Sequence, residues 1–194
     1  MYNHFSYQKS LKGFNAITYR VLNKSQSSLM QIDLQAPLKI DSVILNNKEN
    51  ISFIKEGNVW YLNLAIQHQF AINTVKIYYT GKPHEAVRPP WDGGWVWETD
   101  SLSRPWMTVA CQGIGASVWY PCKDDQSDEP DNGATLTMIV PDTLVAVANG
   151  RLQEKNKIMT ILQRINGAVV NPINNYDICP YIGKYVNINS IRKV

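Results

Sequence analysis

Residues 91–131 read WDGGWVWETDSLSRPWMTVACQGIGASVWYPCKDDQSDEPD, and this stretch differs in composition from the sequence on either side of it. It contains five of the six tryptophans, two of the three cysteines, a Gly-Ile-Gly turn and a run of acidic residues. The flanking sequence alternates apolar with polar residues, which is the pattern of strands with one buried face. The chain is therefore predicted to set a functional region on an ordinary β scaffold.

Strand patterns run through the flanking sequence, with turn residues between them. Strands are predicted at residues 14–22, 29–34, 38–45, 51–54, 59–64, 74–80, 134–140 and 144–148, with weaker candidates at 157–164 and 176–186. No segment carries a helical apolar stripe over three turns, and the sequence has no internal repeat or linker. Short strands at regular spacing predict an all-β fold, a sandwich or related open sheets, in a single domain covering residues 1–194.

The composition is that of a globular chain with a modest charge. Of its 194 residues, 44% are hydrophobic and 18% are charged, and the formal net charge is +3. A charge this small and scattered does not favour nucleic acid or an anionic membrane as a partner. No apolar run reaches the roughly 18 residues that spanning a bilayer takes. The N-terminus lacks the basic start and apolar segment of a signal peptide, so none is predicted.

Histidines and cysteines do not form the patterns of a metal site. His4, His68 and His84 are isolated in the sequence, and the HExxH motif does not occur, so none of them is predicted to bind a metal. The three cysteines are Cys111, Cys122 and Cys179. An odd number without a CxxC pair allows at most one disulfide, and small buried side chains are the favoured interpretation.

Two further patterns fall short of known motifs. The segment GIGAS at residues 113–117 is neither GxSxG nor GxGxxG, and Trp-Tyr-Pro follows it where a helix would be needed. Its glycines, Gly113 and Gly115, are predicted to allow a close backbone approach or a positive φ in a tight bend. The acidic residues from Asp124 to Asp131 lack the Gly and Glu positions of an EF-hand loop. They are predicted to cap turns or pair with Lys and Arg, without binding calcium.

The tryptophans have two interpretations. Exposed aromatic rings stack on sugars, which would make the chain a stand-alone carbohydrate-binding module that uses Trp91, Trp95 and Trp97. Buried rings instead supply packing, with about 150–250 Å² of surface each. Residue type alone favours packing. A stand-alone β-sandwich that binds sugars or a protein partner remains the alternative function.

A resemblance to a known family is carried by VACQGIGASVWYPCKDDQSDEPD at residues 109–131, with KPHEAVRPPWDGGWVWE before it and IVPDTLVAVANGRL after it. These segments resemble the N-terminal domain of zinc aminopeptidases of peptidase family M1, in the branch common in Bacteroidetes-type bacteria. The resemblance covers nearly the whole chain and implies a large, curved β domain packed against a thermolysin-like catalytic domain. The GxMEN and HExxH signatures of that catalytic domain do not occur here. The chain is therefore expected to be an inactive part of a longer enzyme, without a cofactor, while zinc belongs to the catalytic domain.

The same resemblance implies that one residue contacts the substrate. In the family, an acidic or amide side chain in this loop accepts a hydrogen bond from the free α-amine of a peptide, and the matching position is Gln112. An amide oxygen can accept from an ammonium group, and fixing the amine beside the zinc imposes exopeptidase specificity. Gly113 and Gly115 are implied to shape the loop. Many relatives carry Glu at this position, so weaker amine capture is expected from Gln112. They often carry a Gln where this chain has Ala110, so a second contact with substrate is not expected here.

The resemblance also sets expectations about partners. These are the chain's own catalytic domain and peptide substrates, with no nucleic acid and no membrane span. A face that meets another domain covers roughly 600–1,500 Å², so its exposure would favour a dimer without physiological meaning. The family implies an exported, periplasmic bacterial protein.

Overall fold

The computed structural model describes residues 9–23 and 29–188, and about half of these residues form strands. The strands are β1 (Leu11–Arg20), β2 (Leu29–Asp33), β3 (Lys39–Leu45), β4 (Glu49–Asn50), β5 (Phe53–Glu56), β6 (Val59–Asn63), β7 (Ile72–Gly81), β8 (Gly94–Thr99), β9 (Pro105–Ala110), β10 (Ala134–Pro141), β11 (Val145–Val147), β12 (Arg151–Met159), β13 (Leu162–Val169) and β14 (Tyr181–Gly183). Two 3-10 helices lie among them, Ala116–Val118 and Asn175–Asp177. The predicted all-β fold class is confirmed.

The strands pair antiparallel in open sheets. Their orders are β1-β7-β3-β4, β2-β6-β5, β11-β14-β9-β8 and β10-β13-β12. The longest pairing joins β1 to β7, from Leu11 opposite Gly81 to Arg20 opposite Ile72. Strands of all four sheets place side chains in one buried apolar cluster. The sheets are therefore held together by packing of their buried faces.

Strand β7 shows how the sequence pattern becomes packing. Val75, Ile77 and Tyr79 alternate along it, and each is 0% exposed. Lys76 and Tyr78, which lie between them, are half-buried on the opposite face. Strand β7 pairs with β1 and β3 on its two edges, and the face that carries Val75, Ile77 and Tyr79 packs in the buried apolar cluster. The alternation in the sequence corresponds to this burial.

Two weaker strand predictions in the second half of the chain are wrong in detail. Residues 157–164 span the end of β12, a turn at 160–161 and the start of β13, and not one strand. The residues of β12 are almost all exposed, so its sequence has no period-2 pattern to mark it. Of residues 176–186, only Tyr181–Gly183 is a strand, because the chain first forms the 3-10 helix Asn175–Asp177.

The tryptophan-rich stretch contains two strands that the alternation did not predict, β8 and β9. Gly94, Trp95 and Val96 at the start of β8 are consecutive and all buried. A strand that is buried on both faces shows no alternation of polar and apolar residues, so the sequence pattern did not predict β8. The ends of the other predicted strands lie within three residues of the observed ones, and several coincide with them.

Some predictions concern residues outside the described ranges. His4 and the N-terminal segment for which no signal peptide is predicted fall on residues 1–8. Within residues 9–23 and 29–188, the chain forms no helix with the length and apolar character of a membrane span.

The burial of β7 predicts unequal effects of two isoleucine substitutions on the same strand. Ile77→Ala should lower the free energy of unfolding by about 2–5 kcal/mol, because it leaves a cavity at a fully buried position. Ile72→Ala is the matched control, since Ile72 is 63% exposed, and its effect should stay within about 0.5 kcal/mol. Urea unfolding of both variants measures the difference, and equal losses would contradict this account of the core.

Candidate functional site

The residue implied to contact substrate lies on a tight turn that follows β9. We call residues 111–118 the Gln112 turn. The Cys111 carbonyl accepts hydrogen bonds from the backbone N–H groups of Ile114, at 3.2 Å, and Gly115, at 2.9 Å. Gly113 and Gly115 have φ of 72° and 81°, in the left-handed region that favours glycine. The predicted positive φ of both glycines is confirmed.

The two glycines are needed for different reasons. A Cβ atom at Gly113 would meet nothing within 4 Å, so only the backbone conformation calls for glycine there. A Cβ atom at Gly115 would overlap the carboxylate of Asp124. Gly115 therefore provides the close approach that the sequence also predicts. The group that lies against it is the half-buried carboxylate of Asp124.

That carboxylate holds the end of the Gln112 turn. Its two oxygens accept from the backbone N–H groups of Ala116, at 3.1 Å, and Ser117, at 3.2 Å. The backbone N–H of Asp124 in turn donates to the Asp33 carboxylate at 3.0 Å. Asp33 also pairs with Cys122 through backbone hydrogen bonds of 2.8 and 3.1 Å. The turn is thus tied to the segment that follows it and to the end of β2.

A second support for the turn comes from Gln35, which is 79 and 82 positions away in sequence from the two residues that it contacts. Its side-chain amide donates to the Ile114 carbonyl and, at 2.9 Å, to the Ser117 hydroxyl. Its backbone N–H donates to the Ser117 carbonyl at 3.0 Å. These three contacts and the Asp124 carboxylate fix the backbone on both sides of Gly115.

Gln112 itself is exposed at the tip of this fixed turn. Its side-chain oxygen accepts a hydrogen bond from the Tyr176 hydroxyl at 3.0 Å. An amide oxygen has two lone pairs, so one remains for a further donor. Tyr176 was not predicted as a site residue, and with 64 positions between the two residues no local signal in the sequence joins them.

Tyr176 is placed by a short, well-bonded helix. The Asn174 side chain caps the 3-10 helix Asn175–Asp177 by accepting from the Tyr176 backbone N–H at 2.9 Å. Buried Asn175 donates to the Asp128 carboxylate at 2.7 Å, and its carbonyl accepts from the Tyr120 hydroxyl at 3.1 Å. The partner of Gln112 is therefore fixed by the acidic segment that follows the turn.

The acidic residues have the local roles that the sequence predicted. Asp124 caps the Gln112 turn, and Asp125 accepts from the Ser127 backbone N–H at 2.8 Å. Asp128 forms an ion pair with Lys123 at 3.0 Å. The hydrogen bond and the charge of Asp128 raise the pKa of Lys123. The predictions of turn capping and ion pairing are confirmed.

Most of the tryptophans are packing elements. Trp95 and Trp119 are 1% and 2% exposed, and their ring centroids lie 6.2 Å apart. Trp97 is half-buried beside Trp95 at 5.4 Å, and Trp106 donates from its indole N–H to the Tyr185 hydroxyl at 2.7 Å. Trp91 differs, since it is 85% exposed. A sugar platform that needs Trp95 is excluded by the burial of that ring.

The glycines before β8 join the tryptophan packing to the Gln112 turn. A Cβ atom at Gly93 would overlap the Ile114 side chain and come within 2.7 Å of the Gln112 carbonyl. Gly94 has φ of 142° and lies against the backbone of Glu85 and Ala86. The pair Gly93-Gly94 therefore lets β8 start directly against the turn.

The described residues do not offer a metal site. His68 and His84 are exposed, and within residues 9–23 and 29–188 no three His, Cys, Asp or Glu side chains come together to hold an ion. All three cysteines are free; Cys111 and Cys122 are buried as predicted, and Cys179 is half-buried. Burial raises the pKa of the Cys122 thiol well above its usual value.

Comparisons by sequence and by structure give different results. A scan against protein-family profiles and a search of the curated proteins found no match. The fold is that of the M1 zinc metallopeptidases, over a part of their length. A two-domain M1 zinc metallopeptidase solved with L-tryptophan matches with a TM-score of 0.74 and 17% identity, over 91% of this chain and 39% of that one.

Other solved structures give the same result. The M1 zinc metallopeptidase of Deinococcus radiodurans, solved as a variant with a Tyr-Ser-Ala substrate, matches with a TM-score of 0.73 and 16% identity, over 90% of this chain and 38% of that one. Leukotriene A4 hydrolase from Saccharomyces cerevisiae matches with a TM-score of 0.66 and 20% identity, over 92% and 27%. The resemblance to the N-terminal domain of M1 peptidases is confirmed as a likeness of fold, and this chain spans about two fifths or less of these proteins.

The capping role of Asp124 predicts that its loss destabilises the fold more than loss of its neighbour. Asp124→Ala should lower the free energy of unfolding by about 1.5–3 kcal/mol, because two backbone N–H groups lose a charged acceptor. Asp125→Ala is the comparison variant: the Asp125 carboxylate is exposed and accepts from Ser127 alone among the described residues, so water can replace it more readily than it can replace half-buried Asp124, and we expect a loss below about 1 kcal/mol. Denaturant unfolding measures both, and an unchanged Asp124→Ala variant would contradict the capping role.

Proposed function

We propose that this chain is the non-catalytic N-terminal domain of a zinc-dependent aminopeptidase, which packs on the catalytic domain and helps recognise the free α-amine of peptide substrates. The observation that carries the proposal is the match of 90% of this chain to 38% of an M1 zinc metallopeptidase. The zinc and the groups that hydrolyse the peptide bond would belong to a separate catalytic domain. Residues 1–194 would then act as one domain of that enzyme.

The geometry of the Gln112 turn supports a role in binding an amine. Gln112 presents a neutral oxygen with a free lone pair at an exposed tip, and Tyr176 already occupies the other side of that oxygen at 3.0 Å. An ammonium group would donate to the free lone pair, and a hydrogen bond from a charged donor is stronger than a neutral one. Because the turn is fixed by Asp124 and Gln35, the acceptor would not have to be ordered when substrate binds.

The alternative of a stand-alone binding module rests on fewer groups than the sequence suggested. Trp95 is buried and Trp97 is half-buried, so Trp91 is the one member of the proposed platform with an open ring face. A single exposed aromatic ring gives little area for a sugar. The predicted dimer through an exposed domain face likewise gains no support from the structure.

One prediction concerns the zinc content and the activity of the 194-residue chain by itself. Purified after treatment with chelator and incubation with zinc, it should retain less than stoichiometric zinc by elemental analysis and should not hydrolyse aminoacyl arylamides. The reason is that the described residues bring no ligand cluster together. One zinc per chain, or turnover that persists through purification, would contradict the proposal.

Another prediction concerns the effect of Gln112 on substrate binding in the longer enzyme that the proposal implies. Gln112→Ala should raise KM for substrates with a free α-amine about tenfold or more and leave kcat closer to its original value, because the lost interaction is a hydrogen bond to a charged group. Gln112→Glu should lower KM, because a carboxylate attracts the ammonium more strongly. Steady-state kinetics on a series of peptide substrates measures both effects.

A matched control separates binding from general damage to the domain. Gln153→Ala removes the same side chain from exposed strand β12, where its amide donates only to the Arg151 carbonyl. It should leave KM and kcat unchanged. Tyr176→Phe should give a smaller rise in KM than Gln112→Ala, because it removes the group that orients the acceptor and keeps the acceptor. Unchanged KM in Gln112→Ala would remove this residue from the substrate site.

A further inference from the structure

An apolar cavity lies at the margin of two sheets. Its volume is about 410 Å³, which is within the roughly 300–1,000 Å³ of sites that bind small molecules. Residues of β11 line it together with residues of β12 and β13, and the segment 185–188 that follows β14 adds a further wall. Strands β11 and β12 are each the outermost strand of their sheet. The cavity is separate from the Gln112 turn, because no residue of that turn lines it.

The surface of the cavity is largely aliphatic, and directly opposed strand residues form much of it. Met138 on β10 lies opposite Ile165 on β13, and the two side chains are 2% and 4% exposed. Leu152 on β12 lies opposite Gly167, which follows Ile165 by two positions and therefore shares its face of the sheet. Leu152 is 63% exposed. An aliphatic chain in the cavity would cover this apolar surface, and removing such surface from water favours binding.

One cationic side chain lies on the same face. Lys155 on β12 is opposite Ile165, and directly opposed residues of an antiparallel pair share a face. Among the residues that line the cavity, Lys155 alone is charged. It is exposed, and the ion pairs formed by the described residues do not include it. Lys157, two positions later on the same strand, instead pairs with Asp142 at 3.0 Å.

The acidic residue next to Lys155 in the sequence is bound on the opposite face of the strand. Glu154 lies opposite Asn166, and its carboxylate accepts hydrogen bonds from the side-chain amides of Asn166, at 2.8 Å, and Asn156. Within the described residues, the cavity therefore combines an aliphatic surface with a single positive charge that has no acidic partner. This combination is complementary to an apolar molecule with an anionic end.

The wall formed by the segment after β14 is held by two hydrogen bonds. The Trp106 indole N–H donates to the Tyr185 hydroxyl at 2.7 Å, and the Lys184 ammonium donates to the Thr143 carbonyl at 2.9 Å. Because the Tyr185 hydroxyl accepts in this contact, its own proton remains for another acceptor. A wall that is already in place does not have to be ordered when a ligand binds, which lowers the entropic cost of binding.

We propose that this cavity binds an aliphatic chain that carries one anionic head group. The chain would cover Met138, Ile165 and Leu152, and the head group would pair with the Lys155 ammonium. A cationic head group would be repelled by the lysine, and a neutral one would leave it without a partner. The inference rests on the cavity and its charge and does not depend on the chain being part of a peptidase.

Isothermal titration calorimetry of the 194-residue chain tests the proposal with ten-carbon probes below their micellar concentrations. Decanoate and decyl phosphate should bind, and the tighter of the two identifies the head group as a carboxylate or a phosphate. Decanol should bind more weakly, and decyltrimethylammonium and acetate should give no saturable heat. Added salt should weaken the binding of the anions, because it screens an exposed charge pair. Failure of both anions to bind, or equally tight binding of the ammonium probe, would overturn the proposal.

A pair of lysine variants tests the contact with the head group. Lys155→Ala should raise the Kd of the tighter anion about fivefold, as expected for the loss of an exposed ion pair. Lys157→Ala is the matched control, because it removes the same charge from the same strand and does not line the cavity. Its Kd should equal that of the unaltered chain. An equal change of Kd in the two variants would show that the charge of Lys155 is not read at this site.

Gly167→Leu tests the location of the chain. A Cβ atom at Gly167 would lie 3.5 Å from its nearest neighbour, the Asn149 carbonyl oxygen, so the backbone leaves room for a side chain there. The leucine side chain would occupy the cavity, and binding of both anions should be lost while circular dichroism shows a folded chain. Unchanged binding in this folded variant would place the ligand elsewhere and overturn the proposal.

A second pair of variants keeps the location testable if Gly167→Leu does not fold. Leu152→Glu adds a carboxylate to the cavity at an exposed position, so it should weaken the binding of the anions at least fivefold without unfolding the chain. Leu102→Glu is its control, since Leu102 is 68% exposed and does not line the cavity. Equal Kd values for the two variants would contradict the assignment.

Discussion

The Asp124 carboxylate is the contact on which the arrangement of the candidate site depends. It accepts from two successive backbone N–H groups, of Ala116 and Ser117, and it occupies the space that a side chain at position 115 would need. The absence of a side chain at Gly115 therefore leaves the space in which the Asp124 carboxylate reaches these two N–H groups. The Asp33 carboxylate accepts from the backbone N–H of Asp124, so the end of β2 holds the carboxylate in position. These contacts hold the backbone of the turn that carries the exposed side chain of Gln112.

The tryptophans serve the same arrangement through packing. Trp95 lies between Trp97 and Trp119, and Trp119 stacks edge-on with Tyr120 at 4.5 Å. The indole N–H groups of Trp95, Trp97 and Trp119 have no hydrogen-bond partner among the described residues. A buried donor without a partner costs free energy, so these rings are held by area and shape and not by polar contacts. Tyr120 ends the series and donates to the Asn175 carbonyl, which connects the stack to the helix that carries Tyr176.

The sequence predicted those parts of the structure that local patterns can report. Alternation located β7, because one face of that strand is buried along its length, and it failed for β8 because Trp95 and its neighbours are buried on both sides. The positive φ at Gly113 and Gly115 followed from the known freedom of glycine. The contacts of Gln35 and Tyr176 with the Gln112 turn join residues 64–82 positions apart, and no local pattern encodes such pairs. The role of Gln112 was predicted from the resemblance to a family, because no sequence pattern around this residue indicates a substrate contact.

The chemistry of Gln112 limits the reactions in which it could take part. A neutral amide oxygen can accept a hydrogen bond from an amine, but it cannot take a proton from water or stabilise a hydroxide near neutral pH. The Tyr176 hydroxyl donates its hydrogen bond to the side-chain oxygen of Gln112, and so it orients this acceptor. An exposed amide acceptor on a turn held by these contacts can bind a hydrogen-bond donor, but it cannot by itself carry out a proton transfer.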